Sequence, residues 1–203
     1  PLPAVAALAF HNGFGGFAAA GREYVLELQD ERRPPLPWSN VIANPHFGTL
    51  LTEAGSAFTW SQNSRENLLT PWSNDPVAAP SGEAIYLRDD DTGELWSPCA
   101  QPLRRAGARY RVAHGQGYSR FQVEIAGIDA QLVVFVDPSE PVKWSVLQLH
   151  NRSGRARRLS VVAYAEWSLG FGRDRQAPFV VTEPVDGAVL ARNPWNAEFP
   201  DRV

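Results

Sequence analysis

The chain has 203 residues, 44% hydrophobic and 20% charged, enough apolar material for one sizeable core and far from a disordered composition. A formal net charge of −3 provides no general attraction to phosphate backbones or anionic lipid, so neither nucleic-acid binding nor membrane contact has electrostatic support. A single cysteine, Cys99, excludes an internal disulfide and a cysteine-built zinc site, and fits a reducing compartment.

Taken in chain order, the first marked feature is Gly13-Phe14-Gly15-Gly16. It lacks the further glycine spacing of a dinucleotide site and the lysine of a phosphate loop, so a close structural turn is expected. A β-branched and aromatic run then predicts a strand over 24–28. Pro34, Pro35 and Pro37 make 32–44 read as a connector. Strands follow over 48–52 and 57–60, and then a polar, aromatic stretch over 60–80 with no strand period reads as a long loop. Another strand over 84–87 turns at Asp91-Thr92-Gly93 into Leu95-Trp96, where glycine supplies the positive φ of a hairpin bulge.

Further strands are expected over 110–113 and 121–125, and the apolar run 132–136 is far below the roughly 20 residues needed to cross a bilayer. The stretch 142–149 alternates with apolar groups on both faces, which predicts a strand covered on both sides. A second hairpin is expected at Asn151 to Gly154, leading into a strand over 159–164, with Arg152, Arg155, Arg157 and Arg158 as a solvated tip. The fold reading is all-β: one large antiparallel β-sandwich over residues 1–203. With no methionine and Pro1 at its start, the sequence reads as an excised piece of a longer chain.

The chemistry-bearing residues are sparse. His11, His46, His114 and His150 have no metal-ligand spacing, and no Gly-x-Ser-x-Gly elbow occurs. Asp89, Asp90 and Asp91 sit in a turn and are expected to stay hydrated. Glu66, Asp75, Glu124 and Glu166 lie beside aromatics and are better proton donors, although structural hydrogen bonding is the simpler role for each. Cys99, beside Pro98, reads as an inert thiol. What stands out is the density of Trp, Tyr, Asn, Asp and Arg over 60–75 and 114–120, because flat aromatics and bidentate polar groups suit the C–H faces and hydroxyls of sugars.

Asn12-Gly13-Phe14-Gly15-Gly16-Phe17, Pro37-Trp38-Ser39-Asn40, Phe58-Thr59-Trp60-Ser61-Gln62-Asn63-Ser64-Arg65-Glu66-Asn67, Pro71-Trp72-Ser73-Asn74-Asp75-Pro76 and His114-Gly115-Gln116-Gly117-Tyr118 occur in that order. This ordered string resembles the N-terminal β domain of the cyclic β-1,2-glucan synthase and cellobiose phosphorylase (glycoside phosphorylase) family. The resemblance implies a galactose-mutarotase-like supersandwich, preceding an (α/α)6 helical barrel that carries the catalytic carboxylate and the phosphate site. That barrel is absent from these residues, and sandwiches of this type run longer, so truncation at the C-terminal end is expected. The implied reaction of the parent is inverting phosphorolysis of a β-linked glucan, with inorganic phosphate as co-substrate and no cofactor.

On the same resemblance the chain holds no catalytic residue and no metal. Its partners are the barrel of the same polypeptide, a β-glucan or oligosaccharide, and a second copy in a homodimer. Arg65, Glu66, Asn67, Trp72, Asn74 and Asp75 are expected to border the glucan site or the domain interface. His114 and Tyr118 either join them or form an internal hydrogen-bond network. The parent is expected in the cytoplasm, with the synthase type anchored to the inner membrane through other domains. Two alternatives are a free-standing carbohydrate-binding module and a mutarotase-like aldose epimerase, the latter with His114 or His150 and Glu124 or Glu166 as its acid and base.

Overall fold

The computed structural model describes residues 2, 7–30, 32–73 and 81–199. Its strands are β1 (Gly15–Ala18), β2 (Glu23–Gln29), β3 (Ser39–Ala43), β4 (Phe47–Thr52), β5 (Ala57–Ser61), β6 (Glu83–Asp89) and β7 (Leu95–Trp96). They continue as β8 (Arg109–Gly115), β9 (Tyr118–Ile125), β10 (Ile128–Val136), β11 (Lys143–Asn151), β12 (Leu159–Ala165), β13 (Val181–Val185) and β14 (Ala188–Arg192). One short helix, α1 (Arg173–Gln176), interrupts them. All pairing is antiparallel: a six-stranded sheet β1-β2-β8-β9-β10-β11, two three-stranded sheets β12-β6-β7 and β3-β4-β5, and the hairpin β13-β14.

Directly paired residues of antiparallel strands point to the same face, so the register exposes the logic of the core. One row across the six-stranded sheet runs Leu26, Val112, Phe121, Leu132, and the next runs Leu28, Tyr110, Val123, Ala130; all eight are buried. Ile42, Phe47 and Leu51 of the β3-β4-β5 sheet and Leu87 and Trp96 of the β6-β7 pair close over them in one cluster. Each large side chain sequestered this way is worth about 1.5–3 kcal/mol of transfer free energy.

Five expectations need correction. The connector over 32–44 contains β3, because its prolines lie before Ser39 and leave every β3 residue able to pair. The turn at Asn151 to Gly154 is a crossover: β11 pairs with β10 and β12 pairs with β6, so the two strands belong to different sheets. Asp89 is buried instead of hydrated, holding the backbone amides of Asp91 and Thr92 and the guanidinium of Arg157. Arg157 is therefore no tip residue; it also donates to the Ala126 carbonyl at 2.7 Å, while Arg152, Arg155 and Arg158 stay exposed. Burial raises the Asp89 carboxyl, but the bonds from Arg157 and the two amides outweigh it and hold the group below the usual carboxylate range. Finally, β11 is an edge strand with both faces largely open, and its predicted cover is missing among the described residues.

Cys99 is buried against the turn between β4 and β5, and its burial pushes the thiol up to about 12, so it stays protonated and unreactive. Gly55 in that turn has φ +95°, and a Cβ there would overlap Cys99 Cβ and lie 2.8 Å from its Sγ. Gly55→Ala combines a left-handed backbone with overpacking and is expected to lower stability by about 2 kcal/mol in urea denaturation. An unchanged midpoint would mean that the turn relaxes freely.

Candidate surface cleft around Trp72

The loop after β5 is built by its own polar side chains. Gln62 takes a positive φ of 61°, and Asn63 Oδ1 then accepts the amides of Arg65 and Glu66, both at 2.9 Å. Asn67 closes the excursion: its backbone carbonyl accepts the Ser61 amide at 3.2 Å and its Nδ2 donates to the Ser61 carbonyl at 3.1 Å. Asn67 is thus buried and spent on the loop's own closure. Arg65 and Glu66 lie at the outer end, exposed and 3.4 Å apart.

Leu68 bridges to Gly170, which brings a second loop, some hundred residues later, against the first. Phe171 consequently lies beneath Arg65, whose guanidinium stands 5.7 Å from the ring centroid, a cation–π distance. Beyond Pro71, Trp72 packs with its ring tilted against Phe58 at 4.7 Å between centroids, and Phe58 packs in turn at 5.2 Å on Trp60. Trp72 nevertheless remains 48% exposed. A cleft of about 420 Å³ opens beside it, bordered by Phe171, Glu166, Arg173 and Arg175, with Glu166 ion-paired to Arg173. The arrangement is a rigid indole face with planar charged donors and acceptors around it, suited to holding a polar ring with apolar faces.

Asn74 and Asp75 lie outside the described residues. His114 and Tyr118 belong to a different part of the fold, on the β8-β9 hairpin, where both are engaged internally. His114 Nε2 lies 3.2 Å from the Trp38 carbonyl and Nδ1 lies 2.9 Å from Ser119 Oγ. Since a carbonyl only accepts, Nε2 carries the proton and Nδ1 accepts from the serine. Burial pulls this imidazole down to about 4, against a weaker opposing effect of the Trp38 carbonyl. The Tyr118 hydroxyl donates to Glu23, which also pairs with Arg120 at 2.9 Å, and this bond to Glu23 chiefly raises the phenol. Of the epimerase candidates, His150 and Glu124 flank Asp129 across β9, β10 and β11, on the face opposite the core.

Sequence reasoning identified the loop but missed Phe171, Arg173 and Arg175. Their only local signal is an aromatic held between Gly170 and Gly172 and followed by two arginines within four residues. No group of three or more His, Cys, Asp or Glu suited to a metal ion exists among the described residues. Nor is any described helix long and apolar enough to cross a membrane.

Comparison with known families decides the affiliation: the pattern described as "Glycosyl hydrolase 94, supersandwich domain" matches residues 22–203. The chain belongs to this family. As a glycosyl hydrolase 94 supersandwich domain it is 44% identical over 197 residues to the cyclic beta-(1,2)-glucan synthase NdvB of Rhizobium meliloti (strain 1021), covering 96% of this chain and 7% of that protein. The N,N'-diacetylchitobiose phosphorylase of Vibrio proteolyticus is 31% identical over 158 residues, which is 76% of this chain and 19% of that one. Solabiose phosphorylase of Paenibacillus borealis is 32% identical over 164 residues, 79% and 21% of the two chains. This chain therefore spans about a fifth or less of the length of these relatives.

Proposed function

We propose that this supersandwich domain is non-catalytic and supports a neighbouring helical-barrel domain of the same cytoplasmic polypeptide in the phosphorolysis or processing of β-linked glucans. The observation that carries the reading is the half-exposed Trp72, packed on Phe58, which is itself packed on Trp60, beside a cleft where Glu166 pairs with Arg173. A side chain that merely filled the core would not leave so much indole in water while spending two aromatics to hold it. The names of the relatives, phosphorylases and a glucan synthase, favour a sugar as the ligand class. Inorganic phosphate enters as co-substrate at the barrel, and Arg65, Glu66 and Trp72 border the glucan path or the inter-domain contact. A homodimer formed through this domain belongs to the same proposal.

The test is Trp72→Ala and Arg65→Ala in the parent enzyme, read as phosphorolysis. Each is expected to lower kcat/KM at least tenfold, about 1.4 kcal/mol of transition-state stabilisation. The same changes should leave the 203-residue chain folded, because Trp72 is only half buried and Arg65 lies on the surface. That chain should itself release no glucose 1-phosphate from β-glucan and phosphate, since acid, phosphate and sugar must be held together in one site. Unchanged kcat/KM, or unfolding of the chain, would overturn the reading. Tight glucan binding by the chain alone would favour the free-standing binding module.

A further inference from the structure

On the face of the six-stranded sheet opposite the core, three successive rows of side chains cross β9, β10 and β11. Tyr118, Phe135 and Trp144 form the first, Arg120, Val133 and Val146 the second, and Gln122, Gln131 and Gln148 the third. Consecutive rows are two residues apart along each strand, so the first and third are about 13 Å apart at a strand rise of about 3.3 Å per residue.

The first row ends in a fixed indole. Trp144 lies nearly parallel to Phe135, at 22° and 6.4 Å between centroids, and its indole N–H interacts with the Asp137 carboxylate. Asp137 is itself pinned: its Oδ1 accepts the amides of Ser139 and Glu140 at 3.0 and 3.1 Å, and Asn44 Nδ2 donates to the carbonyls of Asp137 and Glu140 at 2.9 and 2.8 Å. Trp144 is nonetheless 48% exposed. In the second row, Val146 is 41% exposed and supplies a low apolar floor. In the third, Gln122 Nε2 donates to Gln131 Oε1 and Gln131 Nε2 donates to Gln148 Oε1, both at 2.9 Å. A primary amide has two N–H groups, so this ladder leaves every member at least one more to give.

Three cations on this face are each matched by a carboxylate: Arg120 by Glu23 at 2.9 Å, Arg111 by Glu27 at 2.7 Å, and Arg152 by Asp129. The rows between them therefore present neutral amides and apolar surface, not charge. Covering them with protein would strand amide groups at about 1–3 kcal/mol for each one left unpaired. A sugar suits both ends, because its C–H face stacks on an indole and its hydroxyls meet amide N–H groups. The geometry points to a second glucan-binding surface, a platform running from Trp144 over Val133 and Val146 to the Gln122-Gln131-Gln148 ladder, apart from the cleft at Trp72. It rests on the function proposed above for the ligand class alone, since the two sites share no residue.

Affinity electrophoresis of the parent enzyme in gels containing soluble linear β-1,2-glucan, the linkage in the name of the Rhizobium meliloti relative, tests the platform. Trp144→Ala and Gln148→Ala are each expected to weaken retention by the glucan at least threefold, while Trp144→Phe, which keeps a stacking ring, loses less. The same losses are expected in a Trp72→Ala background, which reads the platform apart from the cleft. Trp72 variants with unchanged phosphorolysis would sink the function proposed above and leave the platform standing. The platform is overturned if the wild type is not retained, or if neither Trp144→Ala nor Gln148→Ala weakens retention. It is equally overturned if Trp144 of the parent resists oxidation by N-bromosuccinimide before any glucan is added, which would make this face a contact with another domain.

Discussion

Lys143→Met is expected to lower the stability of the fold by about 3 kcal/mol at pH 7, the low end of what removing one partner of a buried ion pair costs. The ammonium pairs with Glu83 and also donates to Thr49 Oγ1 at 3.1 Å and Thr59 Oγ1 at 3.3 Å. Glu83 accepts in addition from the hydroxyls of Thr59 at 2.5 Å and Thr70 at 2.6 Å. One charge pair therefore joins β11, β6 and the β4-β5 hairpin, three separate sheets, with side chains only 14% and 18% exposed. Burial by itself raises the Glu83 carboxyl, but the charge of Lys143 and the hydrogen bonds from Lys143, Thr59 and Thr70 prevail and hold it below its ordinary value.

The sign of the pH dependence follows. A depressed folded-state value means that Glu83 contributes stability above the unfolded carboxylate range, near pH 4.3, and loses it as pH falls through the folded value. In Lys143→Met the buried carboxylate loses its cation, so the penalty is largest at neutral pH and shrinks on acidification. Adding Glu83→Gln removes the stranded charge and should recover most of the loss. Urea denaturation at pH 7 and pH 5 reads both effects; a single variant as stable as the wild type would show that the pair contributes nothing net.

The strands marked by short β-branched and aromatic runs between turn residues were legible: β2, β4, β5, β6, β8, β9 and β12 each contain the run that suggested them. Local turn chemistry was legible too, since Gly93 takes φ +75° between β6 and β7. What a sequence cannot carry is which strand pairs with which. Asn151 to Gly154 has the composition of a hairpin turn, yet β12 leaves β11 and pairs with β6, where Arg157 at its approach meets the buried Asp89, a partner many residues away in the chain. β10 was missed for a related reason: Phe135 and Val133 share the outer face with Gln131, so apolar residues occur on both faces and the alternation blurs. β13 carries Pro184, which demotes any strand reading, although its pairing with Val189 tolerates it at an edge.

The candidate cleft was half legible on the same grounds. Residues 60–73 lack a strand period and are rich in aromatics and amides, which marked the loop. Phe171 and Arg173 meet it only through the bridge from Leu68 to Gly170, a contact across about a hundred residues with no local trace. Nor did anything distinguish the exposed Arg65 from the enclosed Asn67 two positions on. Both are polar loop residues, and their fates separate only once Asn67 finds the Ser61 backbone.

The fold is also expected to lose stability between pH 6.5 and pH 4 through His114. Its imidazole is pulled down to about 4 by burial from an ordinary 6.5, so the unfolded chain binds a proton there that the folded chain refuses. Stability must then rise with pH across that window, and full passage through it costs roughly 3 kcal/mol. The structure gives the reason for the refusal: protonating Nδ1 would point a donor at Ser119 Oγ, which now donates to it, while Nε2 stays on the Trp38 carbonyl. Asn40 would suffer as well, because its amide donates to Ser119 Oγ at 3.2 Å and to the Gly115 and Tyr118 carbonyls at 3.0 and 2.9 Å, tying β3 to the β8-β9 turn. His114→Gln keeps one acceptor and one donor but does not titrate. It should be less stable than the wild type at pH 7.5, yet show a shallower decline between pH 6.5 and pH 5, above the range where most carboxylates titrate. Denaturation midpoints of the two proteins at those pH values decide it. Parallel slopes would mean that the histidine titrates alike in the folded and unfolded chains, and that the Ser119 and Trp38 contacts do not lock its proton.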